Sequence, residues 1–446
     1  MLPTTPEVNR SPEGNSPRDK RWAFLHFAAV VICLPPLTLT TQFPLWAQIT
    51  SLVGLILISL FARLGRRPPV PRTPIDLPVC ALLLLLPGNL LVSADQSLTL
   101  PHVYKVVAST WLFYATVEFL RDTKWFGLGT WAICLLGLAL VPVVLFGTAW
   151  GGGNKLSWLP PEITAHLPRL FRPFWKPVDY TGFNPNMTGG TLAMLLPLPV
   201  ALCFYARDLR ARLLAGAGAL VMGGTLVLTQ SRGAMLATLA GICALLIAKS
   251  WRWAIVLALL LAGGALLLNE TGALTIAPSP SVEADVQNAV ESAEGRLELW
   301  SRAWYMMQDF AFTGIGMGMV PRVLPTLYPT FLIPTTADIP HLHSLYLNTG
   351  AELGFPGLIA LCALLVDLLV LSWLAVRSAR RTHGSLEPLA LGLFGMQIVL
   401  CTHGLVDAIT TSSYIHLIAW GLLGVAVAVD TQCLRVDRKC RRANRS

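Results

Sequence analysis

The chain has 446 residues, 54% of them hydrophobic and 13% charged, where a water-soluble domain carries roughly 25% charged residues. A string of soluble domains is therefore excluded, and the net charge of +9 does not point to nucleic acid. Its basic residues sit in short segments between hydrophobic runs, the distribution that orients a membrane protein.

A polar, proline-rich segment, 1–21, opens the chain without a signal-peptide cleavage site and is expected to be a cytoplasmic tail. Apolar stretches then recur at 22–40, 43–62, 77–93, 98–120, 125–147, 187–205, 213–229, 232–248 and 253–269. Each is about long enough to cross a ~30 Å hydrocarbon core. After a long polar interval they resume at 353–376, 387–406 and 414–431, and a basic tail, 432–446, closes the chain. The fold expected is an all-α polytopic membrane protein of about twelve transmembrane helices. Nine spans fall within 22–269 and three within 353–431, with membrane lipids as its solvent.

Orientation follows from the short loops. Arg63, Arg66, Arg67 and Arg72 follow the second span, Arg207, Arg210 and Arg212 the sixth, and Arg377, Arg380 and Arg381 the tenth. All lie on one face, which the positive-inside rule makes cytoplasmic. The cations Lys105, Lys155, Arg169, Arg172, Lys176, Arg232, Arg296, Arg302 and Arg322 then lie on the opposite face or near it, against topological preference. Charges placed so need another reason to be there.

Two segments on that face are long, 148–186 and 270–352, and neither contains a cysteine. In the second, Val286, Val290, Ala293, Leu297, Trp300, Trp304 and Met307 alternate at spacings of four and three. That spacing predicts an amphipathic helix from about Val282 to Asp309 with these residues on its apolar face. Gly314, Gly316 and Gly318 are expected to loosen the chain beyond it, and the following prolines to hold it extended.

The strongest candidate for chemistry is His341-Leu342-His343-Ser344 at a helix entrance. Imidazoles titrate near neutral pH and suit proton transfer; the bland alternative is a pair of interfacial residues bonded to carbonyls. Two histidines at i,i+2 make a poor metal site alone. With no phosphate loop, HExxH or EF-hand pattern, neither metal, nucleotide nor other cofactor is expected. Arg232, in Gln230-Ser231-Arg232-Gly233, reads as an anion site in preference to a side chain snorkelling to lipid phosphate. Arg296 flanks the apolar stripe and is either aimed at the membrane surface or paired with a glutamate. Lys105 is a similar intramembrane cation. The turn Thr181-Gly182-Phe183-Asn184-Pro185-Asn186, preceded by Arg169 and Arg172, is a weaker candidate.

In order, Gly-Phe-Asn-Pro-Asn (182–186), Ser-Arg-Gly-Ala (231–234), Gly-Arg-Leu-Glu-Leu-Trp (295–300), Thr-Gly-Ile-Gly-Met-Gly (313–318), His-Leu-His-Ser-Leu-Tyr-Leu (341–347), Glu-Leu-Gly-Phe-Pro-Gly (352–357) and His-Gly-Leu-Val-Asp (403–407) resemble the O-antigen ligase and polymerase superfamily. The resemblance covers residues 180 to 407, with His343-Ser344 where the family usually has His-Asn. It implies a bacterial inner-membrane glycosyltransferase that takes a glycan from undecaprenyl pyrophosphate on the periplasmic side. The single dominant periplasmic loop resembles the ligase branch, whose acceptor is the lipid A core. By that resemblance Arg232 and Arg296 hold the pyrophosphate, with Arg169, Arg172, Arg322, Lys105 and Asn186 as further substrate contacts. His343 is the base toward the acceptor hydroxyl, and His341 is its partner or substitute. An O-antigen polymerase and a protein O-oligosaccharyltransferase share these motifs. A lipid-linked glycan transporter, the rival of a different class, would place its charges near the bilayer midplane.

Overall fold

The computed structural model describes residues 17–40, 42–63, 71–121, 124–150, 182–250, 292–334, 337–382 and 384–443, with Arg252 and Val290. Among these residues there is no strand, only a bridge between Thr148 and Phe183. The first five helices are α1 (Pro17–Thr38), α2 (Leu45–Arg63), α3 (Asp76–Val92), α4 (Gln96–Phe119) and α5 (Trp125–Gly147). The expected sixth span is two helices, α6 (Pro185–Leu195) and α7 (Pro197–Tyr205), because Pro197 has no N–H to continue α6 but suits the first turn of α7. There follow α8 (Leu209–Leu228), α9 (Arg232–Lys249), α10 (Ala293–Asp309), α11 (Val320–Leu327), α12 (Leu345–Arg381), α13 (Glu387–His403) and α14 (Ser413–Ala443).

The chain is an all-α polytopic membrane protein. Among the described residues seven helical stretches are long and apolar enough to cross a membrane: Arg21–Thr38, Trp125–Gly147, Pro185–Tyr205, Leu209–Leu228, Arg232–Lys249, Leu345–Arg381 and Ser413–Arg442. Helices α2 and α3 are apolar but shorter, and α4 and α13 occupy two more of the expected spans. The expected span 253–269 lies outside the described residues. Helix α12 starts eight residues ahead of its expected span, where the Ser344 hydroxyl accepts from Leu347 N–H at 3.4 Å, and it kinks at Gly354, whose φ is +70°. Helix α14 runs on into the expected basic tail.

Helix α13 is sandwiched between α7 and α9, and α14 between α4 and α12. Because lipid tails are as apolar as the side chains, close packing holds such helices together, favouring small residues at crossings. A Cβ on Gly241 of α9 would come within 2.7 Å of the Gly395 carbonyl of α13. Leu192, Leu195, Leu198 and Met222 fill the core on this side, and Phe113, Leu364 and Leu368 the core around α4, α12 and α14.

Helix α10 departs from its expected face. Leu297 and Trp304 are exposed, and the buried stripe is Gly295, Leu299, Ala303, Met306 and Met307. The helix lies on α12, and Gly295 and Ala303 allow a closer approach than the bulkier stripe would. The segment from Gly314 to Gly318 is also not loose. Gly314 has φ +66°, and a Cβ there would sit 2.1 Å from the Glu352 carbonyl oxygen, so only glycine lets this turn rest directly on α12.

Candidate active site

The N-termini of α6, α9 and α12 and the C-terminus of α13 meet at one end of the bundle. Asn184 caps α6 by accepting the Asn186 N–H at 2.7 Å, with Pro185 in its first turn. A Cβ on Gly190 of α6 would stand 2.8 Å from His403 Cε1, and one on Gly233 of α9 would stand 2.8 Å from Val406 Cγ2 and 3.9 Å from His403 Nε2. The end of α13 is tied to the start of α12 by the Leu345 N–H donating to the Gly404 carbonyl at 2.7 Å and the Tyr346 hydroxyl donating to that of Cys401 at 3.0 Å. Motifs scattered from residue 184 to residue 407 thus become neighbours.

His341, His343 and Asp407 form the centre. His343 lies in the left-handed region at φ +47°, uncommon for a residue with a side chain. Its N–H donates to His341 Nδ1 at 3.3 Å, so a neutral His341 carries its proton on Nε2, 3.9 Å from Asp407 Oδ1. His343 Nδ1 is 3.5 Å from the same oxygen, too far for a good hydrogen bond, and is otherwise buried without a partner. Asp407 Oδ1 accepts the Ala408 N–H at 2.8 Å. The histidine rings pack edge to face, 4.6 Å between centroids.

Charge completes the picture. Burial would raise the Asp407 carboxyl, but His343 beside it and the nearby His341 and His403 more than offset this, leaving it well below the usual carboxylate range. Burial pushes His341 down to about 4; Asp407 opposes this, while His343 and Arg296 add to it. Arg296 also acts on His403, so its charge is felt by both His341 and His403. Its Nε is buried without a hydrogen-bond partner, as is His403 Nδ1. His341, His343 and Asp407 offer three ligand atoms within 4.8 Å of one another and can in principle hold a metal ion. The neighbouring guanidinium opposes a dication and suits an anion.

Of the residues singled out in the sequence, His341, His343 and Arg296 come together, and Arg232 opens α9 next to Gly233, which faces His403. Asn186 is buried in the first turn of α6. Arg322 is exposed on α11 and acts on Asp95, at the start of α4. Arg169 and Arg172 lie outside the described residues. Lys105 is 4% exposed on α4, and its ammonium donates to the Thr411 carbonyl at 2.6 Å beside His102. The glutamate pairing considered for Arg296 falls to Arg302, 3.5 Å from Glu298. Glu298 also accepts the N–H groups of Phe331, Leu332 and Ile333. Sequence reasoning gave Asp407 and His403 no role of their own. The signal for both was an ionisable residue at the edge of an apolar run, which membrane proteins rarely carry without use.

The fold is that of an integral membrane protein, a bundle of membrane-length helices that gathers imidazole, carboxylate and guanidinium groups at one end. Residues 217–362 match the family model described as O-Antigen ligase. Over that span, about a third of the chain, it is similar to the O-antigen ligase family, whose members are glycosyltransferase-like ligases and polymerases. The matched span holds Arg232, Arg296, Arg322, His341 and His343; His403 and Asp407 lie beyond it. A search of curated proteins finds no match to the chain.

Proposed function

We propose that this protein is an O-antigen ligase of the bacterial inner membrane. It transfers a glycan from undecaprenyl pyrophosphate to a sugar hydroxyl of the lipid A core on the periplasmic side, with inversion and without metal or nucleotide. The observation that carries the reading is the buried, unpartnered His343 Nδ1 facing Asp407 beside the unpartnered Nε of Arg296. With Nδ1 turned to the carboxylate, His343 Nε2 is left to take the proton of the acceptor hydroxyl, and Asp407 stabilises the imidazolium that forms. The acceptor oxygen bonds to the anomeric carbon from the face opposite the leaving group. The carbon–oxygen bond to phosphate breaks, and undecaprenyl pyrophosphate departs with the electron pair. Arg296 and Arg232 meet the charge that grows on it, since planar guanidinium forks match phosphate oxygens.

Two further features support this division of labour. The N-termini of α6, α9 and α12 at this end turn positive dipole ends toward a pyrophosphate. An apolar cavity of about 110 Å3 is lined by Leu345 and Thr410 next to the site and by Leu364, Leu365 and Leu423 deeper in the bundle, surroundings suited to part of a polyprenyl tail. The test is transfer by purified protein given undecaprenyl-pyrophosphate-linked glycan and lipid A core, in excess chelator. Glycosylated lipid A core is the expected product. Lengthened lipid-linked glycan instead would make the protein a polymerase. Loss of turnover that a divalent ion restores would overturn the metal-free mechanism.

A further inference from the structure

A second group of buried ionisable residues lies beside the site. Lys105 Nζ donates to the Thr411 carbonyl at 2.6 Å and lies 3.2 Å from His102 Nδ1. His416 Nδ1, on α14, is 3.1 Å from the Thr410 carbonyl. Glu352, on α12, accepts the Gly318 N–H at 3.0 Å and feels the Lys105 charge. Residues 409–411 are a single 3-10 turn directly after Asp407 and Ala408. That turn is closed by the N–H of Thr411, at 2.9 Å, and its hydroxyl, at 2.8 Å, both donating to the Ala408 carbonyl. The Ala408 N–H in turn holds the Asp407 carboxylate. One continuous run of bonds thus leads from a buried ammonium on α4 to the carboxylate that faces His343.

We propose that Lys105 is a positioning residue: by holding the Thr411 carbonyl from α4, it fixes the turn that carries Asp407 and so the reach from Asp407 to His343. The proposal rests on His343 being the base, and it gives Lys105 a task other than contact with substrate. A buried ammonium is costly unless compensated. Glu352 supplies the opposite charge from α12, the helix that begins immediately after His343 and Ser344.

The experiment compares Lys105→Met, Asp407→Asn and the double variant in the full-length protein, with undecaprenyl-pyrophosphate-linked glycan and lipid A core. Lys105→Met is expected to lower kcat about 10- to 100-fold, the scale of losing a group that orients a reacting side chain, with donor affinity unchanged. In the Asp407→Asn background it should cost nothing further, since groups acting as a unit are not additive. A rise in donor Kd, an additive loss in the double variant, or normal turnover per folded molecule would each overturn the proposal. Should Lys105→Met not fold, Thr411→Val loosens the same turn without touching the buried charge. It should give a smaller kcat loss that also vanishes beside Asp407→Asn, and full activity would overturn the proposal. A readout independent of turnover is the rate at which diethyl pyrocarbonate modifies His343, followed by mass spectrometry. In Lys105→Met, or in Thr411→Val if that variant is used, this rate should move toward that of Asp407→Asn; an unchanged rate sinks the idea even if the protein proves to use another acceptor.

Discussion

Two polar clusters are buried side by side at this end of the bundle, one around Asn89 and one around His343. The Asn89 amide donates to the carbonyls of Thr313 and Glu352 at 3.1 and 2.7 Å and accepts the Met317 N–H at 2.9 Å. The Met317 carbonyl is taken by the Thr99 hydroxyl. Around His343 the opposite holds: His343 Nδ1, 3.5 Å from Asp407, and Arg296 Nε and His403 Nδ1 are buried without a hydrogen bond. An unmade buried hydrogen bond costs about 1–3 kcal/mol, so the second cluster carries a strain that the first does not. A set of bonds already made fixes a loop; a set left open leaves donors for something that arrives.

The largest expected effect breaks the open cluster. His343→Ala should lower transfer per folded molecule about 100- to 10,000-fold, the range of a lost general base, with donor affinity and melting temperature close to wild type. Turnover and donor affinity on the same preparation measure this. Full specific activity would end the role of His343 and pass the test to His341. Next comes the closed cluster. Asn89→Ala should cost about 3 kcal/mol of stability by stranding the polar groups of the 313–317 turn and α12, while turnover per folded molecule stays near wild type. Equal losses in both measurements would erase the distinction between the clusters.

Arg296→Ala and Arg232→Ala should each weaken donor binding by about 1.5–3 kcal/mol, the worth of a hydrogen bond to a charged group. Lysine should rescue poorly at either position, because a point charge cannot reproduce the planar fork. Titration with a donor analogue reads this directly, and unchanged affinity in both variants would move the anion site elsewhere. The smallest effect is on pH. The folded-state value of His341, about 4, lies below the roughly 6.5 of an unfolded histidine. The unfolded chain therefore binds the extra proton between these values. The contribution of His341 is fully present above pH ~6.5 and is lost as pH falls toward 4. His341→Asn should flatten the fall in melting temperature over that window, and an unaltered slope would show that His341 is not held neutral.

Much of this was legible in the sequence, though unevenly. Apolar length located the membrane helices, since a run such as 125–147 has little choice in lipid, but not α11, a helix where the prolines were expected to hold the chain extended. The two histidines stood out because imidazole titrates near neutral pH, and Arg296 as a cation with no topological reason to be where it is. Asp407 could be seen but not paired, because its distance to His343 depends on how α13 and α12 meet through Gly404 and Leu345. Lys105 was read as a substrate contact for the same reason: its partner is a backbone carbonyl, which carries no trace in residue type. The rotation of α10 was hidden because Gly295 and Ala303 count for little in an apolar pattern yet let the helix approach α12. Packing rewarded their smallness over the larger area of Leu297 and Trp304.

The backbone of His343, held at φ +47°, sets activity and durability against each other. A histidine in the left-handed region gives up about 1–3 kcal/mol, and glycine there gives up almost nothing. His343→Gly should therefore be inert in transfer and yet no easier to melt than the native chain, a trade-off common where a working site is kept under tension. Selection for thermal robustness alone would erode this position, and a hardened but silent variant is the failure to watch for in stabilising this protein.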